Sequence, residues 1–569
     1  MAAPPLYDVV FLSTGLVECV AAAALAAVGK KVLQIDANDQ YGSSWSTVAS
    51  DRLGAPVVAW RLSAAAIRTG GGRDDLLRRI QFDLNPRLAY ADGPLISLLL
   101  SSGAHNYTEF VFCQMVVWCD DESVGESVSE DANGSRAEKR NRGRFVRVAA
   151  SKGDVFKDAS LSLAQKNSLM RALKELSRRP DRSWREVSSG LGLDAGLVDR
   201  FVHGVCLSNG EDEVDRKAGA LLTMYGRSLG KYAAIGPNAS SSPFLYPKYG
   251  AGELCSAFAR RAAVSGAVQM LRCEARVVPR TETSGESTVS GAESGSSPAF
   301  DISLRDEDGT ERRVSAAVVV DNGGSCREPR LHTEIERAPG HDGVARTVRD
   351  ARTMARCAAL VRGRAIREEG CCLAAFPRAS LSGRVVWMLQ LDGSSGCCDL
   401  EGYTIVQLWT TTGVPGEHGV APQAIDEFRG ILESHFDCSL VTFSQGGHDG
   451  GRRGGNDGGR HGAGDREASG GNDPCCPQIE VLWSWHAAPN VDGGGDVEGD
   501  GIISAYDGDL VRDGLASYAG LAEEAERVFR LACGDVEVQF PFGKGPGAAV
   551  AEDDEREDAE LDELADLLA

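Results

Sequence analysis

Ser13, Gly15 and Glu18 stand where a dinucleotide-binding turn needs three glycines, between the apolar run Tyr7–Leu12 and an alanine-rich run from Glu18 to Val28. In such a turn the first glycine makes the bend, the second lets the backbone approach a pyrophosphate, and the third lets helix and strand pack closely. Only the middle one, Gly15, is kept. A carboxylate at Glu18 falls in the first turn of the helix, where the macrodipole favours an anion. The same charge repels a pyrophosphate seated at that helix end. Asp36 follows at about the distance, some 20 residues, at which a flavoenzyme places its ribose-binding acid. The chemistry available is therefore nucleotide binding, and positions 13 and 18 spoil it. No cofactor is expected. No nucleophile or metal cluster stands out: His203, His332 and His418 are isolated, and each reads better as structural or exposed than as a ligand.

The elements that must position this turn form a βαβ unit. Tyr7–Leu12 reads as a buried strand, Glu18–Val28 as a helix closed by Gly29-Lys30-Lys31, and Val32–Asp36 as a second strand. Two parallel strands with a crossover helix imply a doubly wound sheet. At the far end Gly508-Asp509, then Ala516, Gly520 and Ala525, resemble the closing strand and helix of a flavin fold. The expected class is α/β, an FAD/NAD(P)-binding-like doubly wound domain with a mixed sheet plus an inserted all-helical domain.

Between these ends, residues 57–110 read as helical, and 120–143 as a solvated loop between the apolar runs Phe110–Trp118 and Phe145–Val148. From Ser160 to Leu221 apolar residues recur at three and four, as in Leu161, Leu163, Leu169, Leu173 and Leu176, which predicts the helical insert. A helix from Glu253 to Ser265 and strands at 267–273, 274–279, 316–321, 384–391, 403–410 and 479–485 follow, then a strand, turn and helix from Ile502 to Ala532. Composition predicts disorder at 281–298 and in the Gly-rich stretch 444–474. The expected division is residues 1–145 with 240–545 as one discontinuous domain, 146–239 as the insert, and 546–569 as an acidic tail.

With 569 residues and 42% hydrophobic composition the chain can bury a large core. Its net charge of −22 argues against nucleic acid as the main partner. From Glu552 to Asp566 there are ten carboxylates against one arginine. The sixteen cysteines include no CxxC pair, so reduced thiols in a cytosolic protein are expected, and zinc is not. No secretory signal precedes the first strand, no run approaches a membrane span, and no CaaX cysteine stands at 566–569.

Thr14-Gly15-Leu16-Val17-Glu18-Cys19 after Tyr7-Asp8-Val9-Val10, with Gly29-Lys30-Lys31-Val32-Leu33, resembles the opening of the Rab GDP-dissociation inhibitor and Rab escort protein superfamily, glutamate included. A second signature, an acid followed by Y-G-G, is matched by Asp36 and Tyr41-Gly42-Ser43, with serine at the second glycine. A third is matched by Tyr246-Pro247-Lys248-Tyr249-Gly250-Ala251-Gly252-Glu253-Leu254 with Phe258-Ala259-Arg260, and a fourth by Phe82-Asp83-Leu84 through Leu100. Trp45 and Asp154-Val155-Phe156 resemble the escort branch, as do the chain's length and acidic tail.

The resemblance implies a non-enzymatic carrier. Its platform for a GDP-bound Rab GTPase would comprise Tyr41, Gly42, Glu253, Arg260 and Met270, with Val268 in place of a threonine-like neighbour. Tyr41 would be a rigid amphipathic contact, Glu253 and Arg260 would meet charges on the partner, and Met270 would adapt to related GTPases. The insert would hold the prenyl chain and touch the Rab geranylgeranyltransferase α/β heterodimer, with transient delivery to membranes. Ser13, Gly15, Glu18 and Asp36 would be the vestige of the dinucleotide loop. A recycling inhibitor and a flavin oxidoreductase stay open as alternatives.

Overall fold

The computed structural model describes residues 4–52, 79–120, 143–149, 161–232, 242–279, 299–321, 334–335, 353–377, 385–412, 420–436, 478–486, 502–504, 516–518, 520–535 and 537–542. Asp154-Val155-Phe156, Gly508-Asp509, His332, His418, the Gly-rich stretch, the 281–298 segment and the acidic tail lie outside them.

The fold is mixed α/β. The strand Leu6–Phe11 runs parallel between Val32–Ile35 and Glu311–Asp321 in an eight-stranded sheet of the described residues. Val268–Met270 adds a parallel edge beyond Val32–Ile35, and Ile502–Ser504 pairs with Glu311–Asp321. Cys273–Pro279 and Phe300–Asp306 extend the other side in antiparallel order. The crossover helix Leu16–Ala27 is buried from Leu16 to Ala26. It packs between the helices Ala251–Val264 and Leu521–Cys533. Ala21 to Ala24 allow this, because methyl side chains let two further helices approach one axis closely.

Among the described residues, a nine-stranded second sheet is antiparallel except where Cys371–Phe376 runs parallel to Phe110–Asp120. Its strands alternate as period two requires: Met115 and Val117 face one core, Val116 the other. The first core is shared with the helices Leu163–Arg178, Trp184–Gly190 and Ala218–Ser228; the second is covered by Val420–His435. A capping box of Ser162 and Gln165 starts the Leu163–Arg178 helix. No helix of the described residues is long and apolar enough to cross a membrane.

Two expectations need correction. Within 57–110 the described part holds strands at Gln81–Asp83 and Ala89–Tyr90 before the helix Pro94–Ser102. These pair with Thr47–Ala49 and Phe244–Pro247, partners that local periodicity cannot reveal. The strand expected over 267–273 covers only Val268–Met270, because Arg272 turns at φ 56° before Cys273–Pro279 begins.

Candidate functional site

The loop after the first strand is filled by its own side chains. Glu18 lies in the first helical turn, fully buried, and Ser13 Oγ donates to its Oε1 at 2.6 Å. The carboxylate folds back over the helix N-terminus: a Cβ on Gly15 would meet Glu18 Oε2 at 2.5 Å. The seat that a pyrophosphate takes in a dinucleotide fold is thus held by the Glu18 carboxyl group.

Asp36 is committed as well. Its Oδ2 accepts from the Thr14 N–H at 3.1 Å, the Thr14 hydroxyl at 2.5 Å and the Ser43 hydroxyl at 2.7 Å. Its Oδ1 accepts from the Asn38 N–H at 2.9 Å and Nδ2 at 2.8 Å. A ribose would have to displace this set. The residues present do not fit a dinucleotide. The same bonds shape the neighbouring turn. Gly42 sits at φ 116°, where an added Cβ would stand 2.9 Å from the Ser46 backbone, and its N–H donates to the Thr14 carbonyl at 3.1 Å.

A second buried carboxylate builds the next element. Asp83 Oδ2 accepts from the Ala251 N–H at 2.8 Å and the Tyr246 hydroxyl at 3.0 Å, so it satisfies an orphan donor at the start of the Ala251–Val264 helix. Burial pushes Asp83 up, against the lowering effect of these bonds. Thr47 closes the same end by accepting from the Gly252 N–H at 3.2 Å. Residues of two separated signatures meet at this helix terminus, together with Thr47.

Gln269 then joins the stretches that carry the expected contact residues. Its Nε2 donates to the Ala259 carbonyl at 2.6 Å and to Gln34 Oε1 at 3.1 Å, while the Tyr41 hydroxyl lies 3.4 Å from its Oε1. Tyr41 is half-buried, and that burial raises its phenol. Met270 packs partly against the core under the sheet, and its carbonyl accepts the Asp36 N–H at 2.9 Å. Val268 beside it is exposed. Arg260 is exposed, its guanidinium 4.5 Å from the centre of the Tyr107 ring.

Glu253 is turned toward the backbone. It accepts from the Glu109 N–H at 3.0 Å and the Tyr249 N–H at 3.3 Å, and burial raises its carboxyl. It anchors two backbone segments, whereas Arg260 two turns on faces outward. Trp45 is fully buried, stacked on Tyr518 at 5.9 Å. His203 is buried with Nδ1 2.7 Å from the Ser208 carbonyl, in keeping with a structural role. Among the described residues no group of three or more His, Cys, Asp or Glu side chains could hold a metal. An apolar cavity of ≈ 350 Å³ opens beside this surface, lined by Ile96, Leu99, Leu100, Phe110, Phe112 and Leu245 among others.

Sequence reasoning missed Gln269 and the capping role of Asp83. One signal was visible: Gln34 interrupts the fully buried strand Val32–Ile35, and a buried amide needs a partner. Its partner is Gln269.

The family model described as GDP dissociation inhibitor matches residues 4–140 and 162–297. The Rab proteins geranylgeranyltransferase component A of Drosophila melanogaster is 26% identical over 321 residues, 51% of this chain and 57% of that protein. The Rab GDP-dissociation inhibitor of Saccharomyces cerevisiae is 27% identical over 284 residues, 47% of this chain and 55% of that protein. The chain therefore spans little more than half the length of these relatives. A Rab GDI structure from Plasmodium falciparum aligns at TM-score 0.58 and 16% identity, over 94% of this chain and 99% of that one. An oxidoreductase from Methanosarcina mazei aligns at TM-score 0.50 and 13% identity, over 92% and 100%. At such identities the likeness is one of fold. The two matched blocks hold the filled loop, both carboxylate hubs and the Gln269 junction, and over them the chain is similar to the GDP dissociation inhibitor family.

Proposed function

We propose that this chain is a Rab escort protein. It binds an unprenylated, GDP-bound Rab on the surface around Tyr41, Gly42, Arg260 and Met270, braced by Glu253, and presents it to the Rab geranylgeranyltransferase α/β heterodimer. It then carries the prenylated Rab through the cytosol to a membrane. The observation that carries Rab binding is the junction at Gln269, which ties Tyr41, the helix of Arg260 and the strand of Met270 into one surface. Chemistry belongs to the partner enzyme, and this chain is its accessory subunit.

A C20 lipid in water is unfavourable by roughly 0.8 kcal/mol per exposed CH₂, so a carrier must cover it. We assign that cover to the helical region within 146–239, treated as a domain inserted into 1–145 and 240–545. The apolar cavity beside Leu99 and Phe110 adds a second apolar surface.

Trp45 and the likeness to the fly component A favour escort over recycling. The comparable likeness to the yeast inhibitor supports the second reading, a GDP-dissociation inhibitor that recycles prenylated Rab. The flavin alternative is disfavoured by Glu18 and Asp36, and a yellow purified protein would revive it. In-vitro prenylation separates the first two: the transferase should label Rab only when this protein is added. Equal labelling without it would remove the escort role. Tyr41→Ala and Arg260→Ala should each weaken Rab·GDP binding at least about tenfold, roughly 1.4 kcal/mol. Unchanged binding in both would remove the surface.

A further inference from the structure

We propose that Cys113 and Cys371 are a disulfide-forming pair, a modification site closed when the protein meets a hydroperoxide. Their sulfurs lie 2.9 Å apart, nearer than unbonded sulfurs ordinarily rest. Both are free and buried. They are direct register partners across the parallel strands Phe110–Asp120 and Cys371–Phe376. Neighbouring strands lie about 4.8 Å apart, inside the Cα separation of about 4.4–6.8 Å that a disulfide spans. Closing to the bond length of about 2.05 Å therefore asks for a small shift of two side chains, with no movement of strands.

The partner is chosen by the sheet. Cys372 follows Cys371 on the same strand and so belongs to the opposite core, away from Cys113. Cys397 directs its thiol to the Lys248 carbonyl at 3.8 Å. Cys113 is also held from the other side, where Ser242 Oγ donates to its carbonyl at 2.6 Å.

The step balances with one hydrogen peroxide. Peroxide oxidises one sulfur to a sulfenic acid and releases water; the second sulfur then attacks, the S–O bond breaks, and a second water leaves with both thiol protons accounted for. Burial raises the Cys371 thiol, and neighbouring Cys113 raises it further. Formation is therefore slow beside that of an exposed thiol. The bond would join residues 258 apart in sequence and restrict the unfolded chain accordingly.

The full chain is treated with hydrogen peroxide, blocked with an alkylating agent and mapped without reduction. The expected product joins the Cys113 and Cys371 peptides at a mass two hydrogens below their sum. Its thermal midpoint should rise by roughly 5 °C and return on reduction with dithiothreitol. Cys371→Ser should abolish the joined peptide, and Cys372→Ser should keep it. The proposal is overturned by the unmutated chain alone if both cysteines stay alkylatable in denaturant after exposure far beyond that which fully oxidises partly exposed Cys119. It is equally overturned if either bonds to a different cysteine.

Discussion

The Thr14 hydroxyl donates to the Asp36 carboxylate across 2.5 Å, joining the turn after the first strand to the end of the second. The two residues belong to separate sequence signatures, yet they form one physical unit with Ser43 and Gly42. The acid that would hold a ribose in a flavoenzyme has become the knot that positions the Tyr41 turn. A fold shared with oxidoreductases thus keeps its scaffold while its ligand-binding groups are spent on internal hydrogen bonds.

Asp36→Asn should be costly. The carboxylate accepts five hydrogen bonds, and an amide can accept only at its single oxygen while turning an NH₂ toward the remaining donors. Bonds to charged groups are worth about 1.5–3 kcal/mol. A loss of roughly 3 kcal/mol is expected, read as a lower urea midpoint at unchanged slope. A loss below about 0.5 kcal/mol would mean that the knot is slack.

Ser43 holds φ 47°, a left-handed conformation, where the resemblance places a glycine. The strain of about 1 kcal/mol is offset by its hydroxyl bond to Asp36. Ser43→Gly removes both and should fall within about 0.5 kcal/mol of the parent. Ser43→Ala keeps the strain without the bond and should lose about 1–2 kcal/mol. Thermal denaturation of the three chains gives the order; alanine at or above glycine would refute this balance.

Much of this was legible in the sequence, for reasons that also explain the gaps. The filled loop could be read because glycine, serine and glutamate differ sharply in what they permit at a helix N-terminus. The Leu163–Arg178 helix announced itself by its three-and-four spacing, and its capping box satisfies the same local rule. Where the hydrogen bonds of Asp36 go was not legible, because the path of the chain decides which donors arrive. The strands Gln81–Asp83 and Ala89–Tyr90 are too short for a period and exist through distant partners. The backbone N–H of Glu109 that Glu253 accepts was not legible either, because it lies 144 residues away in sequence.

His203 should make stability depend on acid pH. Burial pushes its imidazole down from 6.5 to about 4, while Nδ1–H donates to the Ser208 carbonyl. Between those pH values the unfolded chain binds a proton that the folded chain refuses. The stability held at this site is complete above about pH 6.5 and falls as pH drops toward 4, by roughly 3 kcal/mol in all. His203→Gln removes this slope. The difference in urea stability between parent and variant should therefore shrink from pH 7.5 to pH 5. A difference that stays constant across that range would contradict the assignment.

Gly250 and Gly192 separate strain from collision. Both take positive φ, 84° and 61°, and Gly250 combines it with ψ 178°, a conformation costlier still for a side-chain-bearing residue. A Cβ at Gly192 meets nothing within 4 Å, so Gly192→Ala should cost only the conformational penalty, about 1 kcal/mol. A Cβ at Gly250 would stand 2.3 Å from Thr47 Oγ1 and 3.3 Å from Asp83 Oδ2, the two oxygens that close the helix start. Gly250→Ala must displace Thr47 and should cost about 3 kcal/mol or more. The helix it disturbs carries Glu253 and Arg260, so partner binding should weaken along with the denaturation midpoint. Equal losses in the two variants would show that neither the backbone conformation at Gly250 nor the Thr47 contact resists a side chain, and that the tight start of this helix does not depend on glycine.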